Sequence, residues 1–313
     1  MSPSVLSNAA RYGHLLADLF RLRRRIAHPI SICLSVDFDP WHDVIWTEGY
    51  DILERLFRRR GLTGKVTYLI NPILGLEKNE DIYRRIHDNG NEIGLHSHLE
   101  RPVLEEDEGR LGTEIARQQQ SVESFYARLD AQFRVRSFRS GSRAHSRALF
   151  RVLRRQGIRY DSTLSHLDRV RSVYQFTVDD RGTPRRVYYL DPEDYKAEAP
   201  APRELVELPV TSQIPELRKM LGALRPGEPL IVATFVHPYN FARDGRRFPA
   251  FTSFYRFVLS CLTRIPDARF EHLGEAGRRW EGWAAARSPA DGPKTDFGNP
   301  QPRPSATKLQ SST

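Results

Sequence analysis

The chain has 313 residues, 39% of them hydrophobic and 28% charged, enough to bury a sizeable core in one large α/β domain or two small ones. No run of ~20 apolar residues suits a membrane span, and no cleavable signal peptide is evident because charge interrupts the early apolar stretches. A formal net charge of +9 and a pI near 9.7 favour an anionic partner, yet no basic–aromatic run, zinc-finger spacing or helix-turn-helix pattern points to nucleic acid.

In chain order, the first element is a basic amphipathic helix within residues 14–30. Leu15, Leu16, Leu19, Phe20 and Leu22 lie among Arg21, Arg23, Arg24 and Arg25. Such a helix rests on the main domain with its arginines outward, or touches an anionic membrane surface peripherally. Short β-leaning runs then alternate with helical patterns. Strands are predicted over 31–36, 65–70, 92–95, 136–138, 159–160, 206–210 and 230–236. Helices are predicted near 48–60, 80–89, 109–129, 146–156, 214–224 and 251–263. The alternation predicts an α/β fold, a mainly parallel sheet of about seven strands closed or nearly closed into a distorted (β/α) barrel. Residues 172–189 read as an inserted β-hairpin turning at Asp179-Asp180-Arg181-Gly182. The domain reading is a basic helix over 1–29, the barrel over 30–285 and a disordered tail over 286–313. Cys33 and Cys261 sit in apolar surroundings and imply no disulfide, which suits a cytoplasmic protein.

Chemistry concentrates where the predicted strands end. The first finishes in Asp37-Phe38-Asp39-Pro40, and alternation along a strand points both carboxylates the same way. An ionised carboxylate is costly to bury but useful at a strand's C-terminal end, as a base or a metal ligand. The third strand runs into His96-Ser97-His98-Leu99-Glu100. His96 and His98 share a face if the chain stays extended; a helical turn pairs His96 with Glu100 instead. Arg139, beside Ser140 and Gly141, suits bidentate orientation of a carboxylate. Asp161-Ser162 follows the next strand, as a turn or a site. The last ends in His237-Pro238-Tyr239, where a histidine can act as a general acid near neutral pH.

These five strand ends, in this order, resemble the polysaccharide deacetylase (NodB-homology) family, carbohydrate esterase family 4, over roughly residues 31–273. The resemblance implies Asp37 as catalytic base, Arg139 orienting it, and His237 as catalytic acid. It implies Asp39 and His96 as metal ligands, and Trp41, Ser140, Gly141, Asp161, Pro238 and Tyr239 as substrate-binding. A divalent ion is implied, zinc first, with cobalt, nickel or manganese acceptable. One departure stands out: the family's second histidine, four residues after His96, is Glu100 here. Either Glu100 takes that ligand position, or His98 swings in, or the metal site is weakened. The activity implied is removal of an N-acetyl group from an amino sugar in a polysaccharide or its precursor. The alternatives are an allantoinase-like small-molecule amidohydrolase and a non-catalytic sugar-binding barrel.

Overall fold

The computed structural model describes residues 17–18, 28–39, 46–165, 169–171, 177–200, 203–211, 217–243 and 245–287. The first half repeats a strand–helix unit: β1 (Ile30–Asp37), α1 (Trp46–Arg58), β2 (Val66–Ile70), α2 (Glu80–Asp88) and β3 (Glu92–Ser97). Helices α3 (Glu100–Leu104) and α4 (Glu108–Tyr126) follow, then β4 (Ser137–Ser140), α5 (Arg147–Arg155) and β5 (Tyr160–Asp161). Short strands come next: β6 (Arg169–Arg171), β7 (Thr177–Asp179), β8 (Tyr188–Tyr189) and β9 (Val206–Glu207). The described chain then runs through α6 (Leu217–Leu221), β10 (Leu230–Val236), β11 (Ala242–Arg243), β12 (Arg246–Arg247), α7 (Pro249–Leu262), β13 (Ala268–Phe270) and α8 (Leu273–Ala285).

Local chemistry explains the boundaries. β1 is buried along its whole length, as a strand covered on both faces must be, and even Ser31 and Ser35 are satisfied inside. Ser146 starts α5 by accepting from the Leu149 N–H at 3.3 Å, and Asp107 starts α4 by accepting from the Arg110 N–H at 2.9 Å. Gly157, at φ 72°, provides the left-handed residue just after α5.

The nine-stranded main sheet has the order β10-β1-β2-β3-β4-β5-β9-β8, with β13 added beside β1. Every neighbouring pair is parallel except β8 with β9. The seven strands from β10 round to β9 are therefore the parallel set expected from the sequence. The sheet curls strongly: beyond β9, Val210 bridges Ala233 of β10, and the Thr211 N–H donates to the Ala233 carbonyl at 2.7 Å. β1 is held on both edges. β10 follows it from Ile30 to Val36, while the opposite edge takes β13 at Ile30–Ile32 and β2 from Leu34 onward.

Two sequence expectations need correction. The inserted hairpin does not turn at residues 179–182. It pairs β6 with β7, whereas Tyr188 and Tyr189 join the main sheet antiparallel to β9, because Tyr188 is an apolar body buried in the core. The second concerns the C-terminal end, where β13 and α8 were not anticipated. Gly274, Gly277 and Gly282 lower the helical signal of α8. At Gly277 the reason for glycine is packing, since a β-carbon there would lie 2.4 Å from the Tyr160 ring. Most of the predicted basic helix at 14–30, and the tail after 287, lie outside the described residues. Among those described, no helix is long and apolar enough to cross a membrane. Both cysteines are buried free thiols.

Candidate metal centre

Phe38 sets the direction of the two aspartates. Its ring is buried in a cluster with Tyr50, Tyr68 and Tyr83, with centroid separations of 6.0–6.4 Å. The Phe38 N–H also continues the sheet ladder, donating to the Leu69 carbonyl at 3.0 Å. Backbone extension is thus kept past β1, and Asp37 and Asp39 face away from the aromatic cluster, toward the mouth of the barrel. The same logic applies to β3. The chain stays out of helix until α3 begins at Glu100, so His96 and His98 share a face.

Asp39, His96 and His98 converge. Oδ1 of Asp39 lies 2.9 Å from Nε2 of His96 and 2.9 Å from Nε2 of His98, and the two Nε2 atoms are 3.1 Å apart. The far side of each ring is fixed. Nδ1 of His96 donates to the Arg139 carbonyl at 2.9 Å, and Nδ1 of His98 donates to Oε1 of Glu100 at 2.7 Å. With Nδ1 holding the proton in each neutral ring, both Nε2 lone pairs and a carboxylate oxygen point at one spot. The side chains of His96, His98 and Asp39 are only 3%, 7% and 6% exposed, so in the metal-free protein a proton on His98, rather than water, eases this crowding of electron pairs. A divalent cation relieves it directly. Tetrahedral ligands ~2.0–2.2 Å from zinc stand about 3.3–3.5 Å apart, so a few tenths of an ångström of movement makes the donor set fit.

Charge in the trio follows the same geometry. Burial works to raise the Asp39 carboxyl, but nearby His237 and hydrogen bonds from His96 and His98 outweigh it and hold Asp39 far below the ordinary carboxylate range. Burial works to lower His98, yet its hydrogen bonds to Asp39 and Glu100 push it up to about 9 in the metal-free protein. Burial likewise opposes ionisation of Glu100, and His98 overcomes it, lowering the pKa.

Glu100 itself is not in the trio. The expectation that Glu100 joins Asp39 and His96 as a ligand is replaced by His98, with Glu100 behind it as the carboxylate that orients the ring. Gly141 completes this support: a β-carbon there would lie 2.5 Å from Cγ and Nδ1 of His98.

Beside the trio, Arg139 crosses the barrel interior. Its Nη1 donates to Oδ1 of Asp37 at 2.7 Å and to Oγ of Ser35 at 2.7 Å. Its Nη2 donates to Oγ of Ser162 at 2.9 Å, and its Nε to the Ser162 carbonyl at 2.7 Å. The guanidinium also lies over the Phe235 ring, 5.2 Å from its centroid. One side chain on β4 therefore ties β1, β10 and the loop after β5. Ser35 was not singled out from the sequence, although it sits two residues before Asp37 and so shares its face.

On the opposite side, Nε2 of His237 lies 3.3 Å from Oδ2 of Asp39. The imidazole stacks on Tyr239, centroids 4.6 Å apart at 15°, and the His237 N–H donates to Oδ1 of Asn240 at 3.1 Å. Burial, Asp39 and a hydrogen bond to Asp39 raise the Tyr239 phenol, keeping it protonated.

The remaining substrate-binding expectations fare differently. Tyr239 is half-buried at the trio, while Ser140, Gly141 and Pro238 are buried supports. Trp41 lies outside the described residues. Asp161 is a correction, for it is fully buried and not placed to touch a substrate. It accepts from Oγ1 of Thr163 at 2.7 Å and faces Glu207 on β9. Burial raises both carboxyl groups, and the charge of Asp161 raises Glu207 further, so the pair retains a proton.

No family model and no curated protein matches the chain. Solved structures do. A protein assigned as a polysaccharide deacetylase in Mycobacterium smegmatis is 15% identical, covers 83% of this chain and 96% of its own length, and superposes with a TM-score of 0.54. A family 4 acetyl xylan esterase from Clostridium thermocellum, solved with a cobalt ion, is 14% identical over 80% of this chain and 91% of its own, at a TM-score of 0.44. A CE4-family pseudoenzyme from Bacillus anthracis is 13% identical over 79% and 70%, at 0.39. The chain thus has the distorted barrel fold of a polysaccharide deacetylase across most of its length, as its strand-end motifs led us to expect.

Proposed function

We propose that this protein is a metal-dependent hydrolase that removes the N-acetyl group from an amino sugar in a polysaccharide or its precursor. The observation that carries the reading is the convergence of Asp39, His96 and His98 between a guanidinium-held carboxylate, Asp37, and an imidazole, His237. The three ligands would hold zinc, or cobalt, nickel or manganese, and such an ion supplies an acidified water and a polarised amide carbonyl.

The chain's own groups divide the proton work. Asp37 accepts a proton from the attacking water, and Arg139 holds its carboxylate in place. His237 delivers a proton to the departing sugar amine. Tyr239, stacked on His237 and bonded to Asp39, fixes the plane of that imidazole. The basic segment over 14–30 adds a proposed contact with an anionic membrane surface, which liposome sedimentation on anionic against neutral vesicles checks.

Acetate release across a panel of N-acetylated sugars, with protein loaded with zinc, cobalt or manganese, tests the reading. The expected result is turnover that Asp37→Asn abolishes while bound metal stays near one equivalent. Failure to bind metal, or an Asp37→Asn variant that keeps most of the activity, would overturn it.

A further inference from the structure

The loop after β4 carries more than Gly141. Ser142 and Arg143 both adopt left-handed backbone, at φ 51° and 57°, a conformation that costs non-glycine residues free energy and persists only where surroundings impose it. The surroundings are those of the metal centre. Gly141 abuts the His98 ring, and the Ser142 side chain hydrogen-bonds to Glu100. The strained pair is thereby pinned to the mouth of the barrel.

Arg143 is the charged group this loop carries next, close enough to Arg139 and Asp180 to feel both charges. Burial draws its guanidinium down to about 10, against an opposing pull from Asp180 and in concert with repulsion from Arg139. Arg139 spends its donors on Asp37, Ser35 and Ser162. Arg143, by contrast, has no carboxylate at ion-pair distance and no acceptor at its guanidinium among the described residues. Asp180 does not fill that role. Its Oδ2 accepts from the Ser165 N–H at 3.0 Å, its Oδ1 lies 3.5 Å from Nε2 of His145, and burial pushes it up to about 7 against the pull of Arg143, which it does not reach at ion-pair distance. A partly buried cation without a counter-ion is costly unless an anion arrives.

We infer that Arg143 is the receptor for an anionic group, carboxylate or phosphate, on the acetylated sugar. The inference rests on the amino-sugar reading above and narrows its substrate to an acidic one. A guanidinium recognises either anion bidentately, which a sugar hydroxyl cannot match. The net charge of +9 acts in the same direction, drawing acidic molecules toward the protein.

The test is equilibrium binding by calorimetry to the zinc-loaded full chain. The probes are N-acetylmuramic acid (carboxylate), N-acetylglucosamine 1-phosphate (phosphate) and neutral methyl N-acetylglucosaminide. Wild type should bind at least one anionic probe roughly tenfold or more tighter than the neutral one, and which one identifies the anion. Arg143→Gln should erase that preference, and Arg143→Lys should retain part of it, which excludes simple misfolding. No anionic preference in wild type, no binding of either anion, or an intact preference in Arg143→Gln would overturn the inference. Because binding is read without turnover, anion capture through Arg143 with no acetate release would count against the hydrolase reading alone.

Discussion

Gly141 and His98 occupy space that only glycine leaves free: a β-carbon at 141 would stand 2.5 Å from the imidazole of His98. The contact is with a ring anchored at both nitrogens, to Glu100 on one side and Asp39 on the other. Gly141→Ala should therefore swing His98 out of the trio. We expect zinc affinity, measured by competition with a chromophoric chelator, to fall at least tenfold while circular dichroism is unchanged. Unaltered affinity would show that the ring tolerates displacement.

Glu100 holds His98 from outside the trio, so its removal should act on metal binding at one remove. Glu100→Ala should weaken metal binding by ~10–100-fold, in line with loss of a carboxylate behind a ligating histidine. Had Glu100 been a direct ligand, metal would be lost almost entirely. Metal titration separates the two.

A pH effect follows in the metal-free protein. His98 titrates near 9 when folded and near the ordinary 6.5 when unfolded. Its folded pKa is raised, so the stabilisation is fully present below about pH 6.5 and is lost as pH rises through about 9. Thermal melts in a chelator should show stability falling by ~3 kcal/mol or less across that window. In His98→Gln the slope should flatten. Metal must displace the same proton, so zinc affinity should increase over the window.

Arg139 is nearly inaccessible and fully engaged. Arg139→Met strands Asp37 as a buried carboxylate and leaves Ser35 and Ser162 short of a partner. The expected loss is ~3–5 kcal/mol in denaturant unfolding, as for breaking one side of a buried ion pair. Turnover should vanish with it. Arg139→Lys should restore part of the stability and little of the activity, because an ammonium cannot span all four acceptors.

His237→Gln addresses the proposed acid. It should lower kcat by ~10²–10⁴ while zinc stoichiometry stays near one, since His237 meets Asp39 from outside the trio. Loss of metal instead would make His237 a ligand.

The sequence made the barrel legible because its longest strands are largely apolar runs that stop in polar residues. β1 and β10 carry that signal in full: Asp37 closes one, and His237 follows directly on the other. Helix α8 was obscured by glycines whose reason is a neighbour, Tyr160, far away in the chain. At the site, the choice between His98 and Glu100 turned on whether the backbone stays extended two residues past β3, which side-chain types alone do not decide. Gly141 read as a substrate-binding residue. Its steric duty toward His98 exists only once β3 and β4 lie side by side, with His96 level with Arg139. Asp161 failed in the opposite sense: its partner Glu207 comes from a strand much later in the chain, and the pairing seals both from solvent.

β1 is gripped on one edge by β10 and on the other by β13 followed by β2. This fixes when the centre can exist. On a chain emerging from the ribosome, Asp37 and Asp39 appear early, but the strands that immobilise them include residues 230–236 and 268–270, almost the last of the described fold. Pairings this distant in sequence close slowly. The aspartates cannot be fixed in place before β10 and β13 have been made, so the candidate centre assembles only when those strands dock on β1.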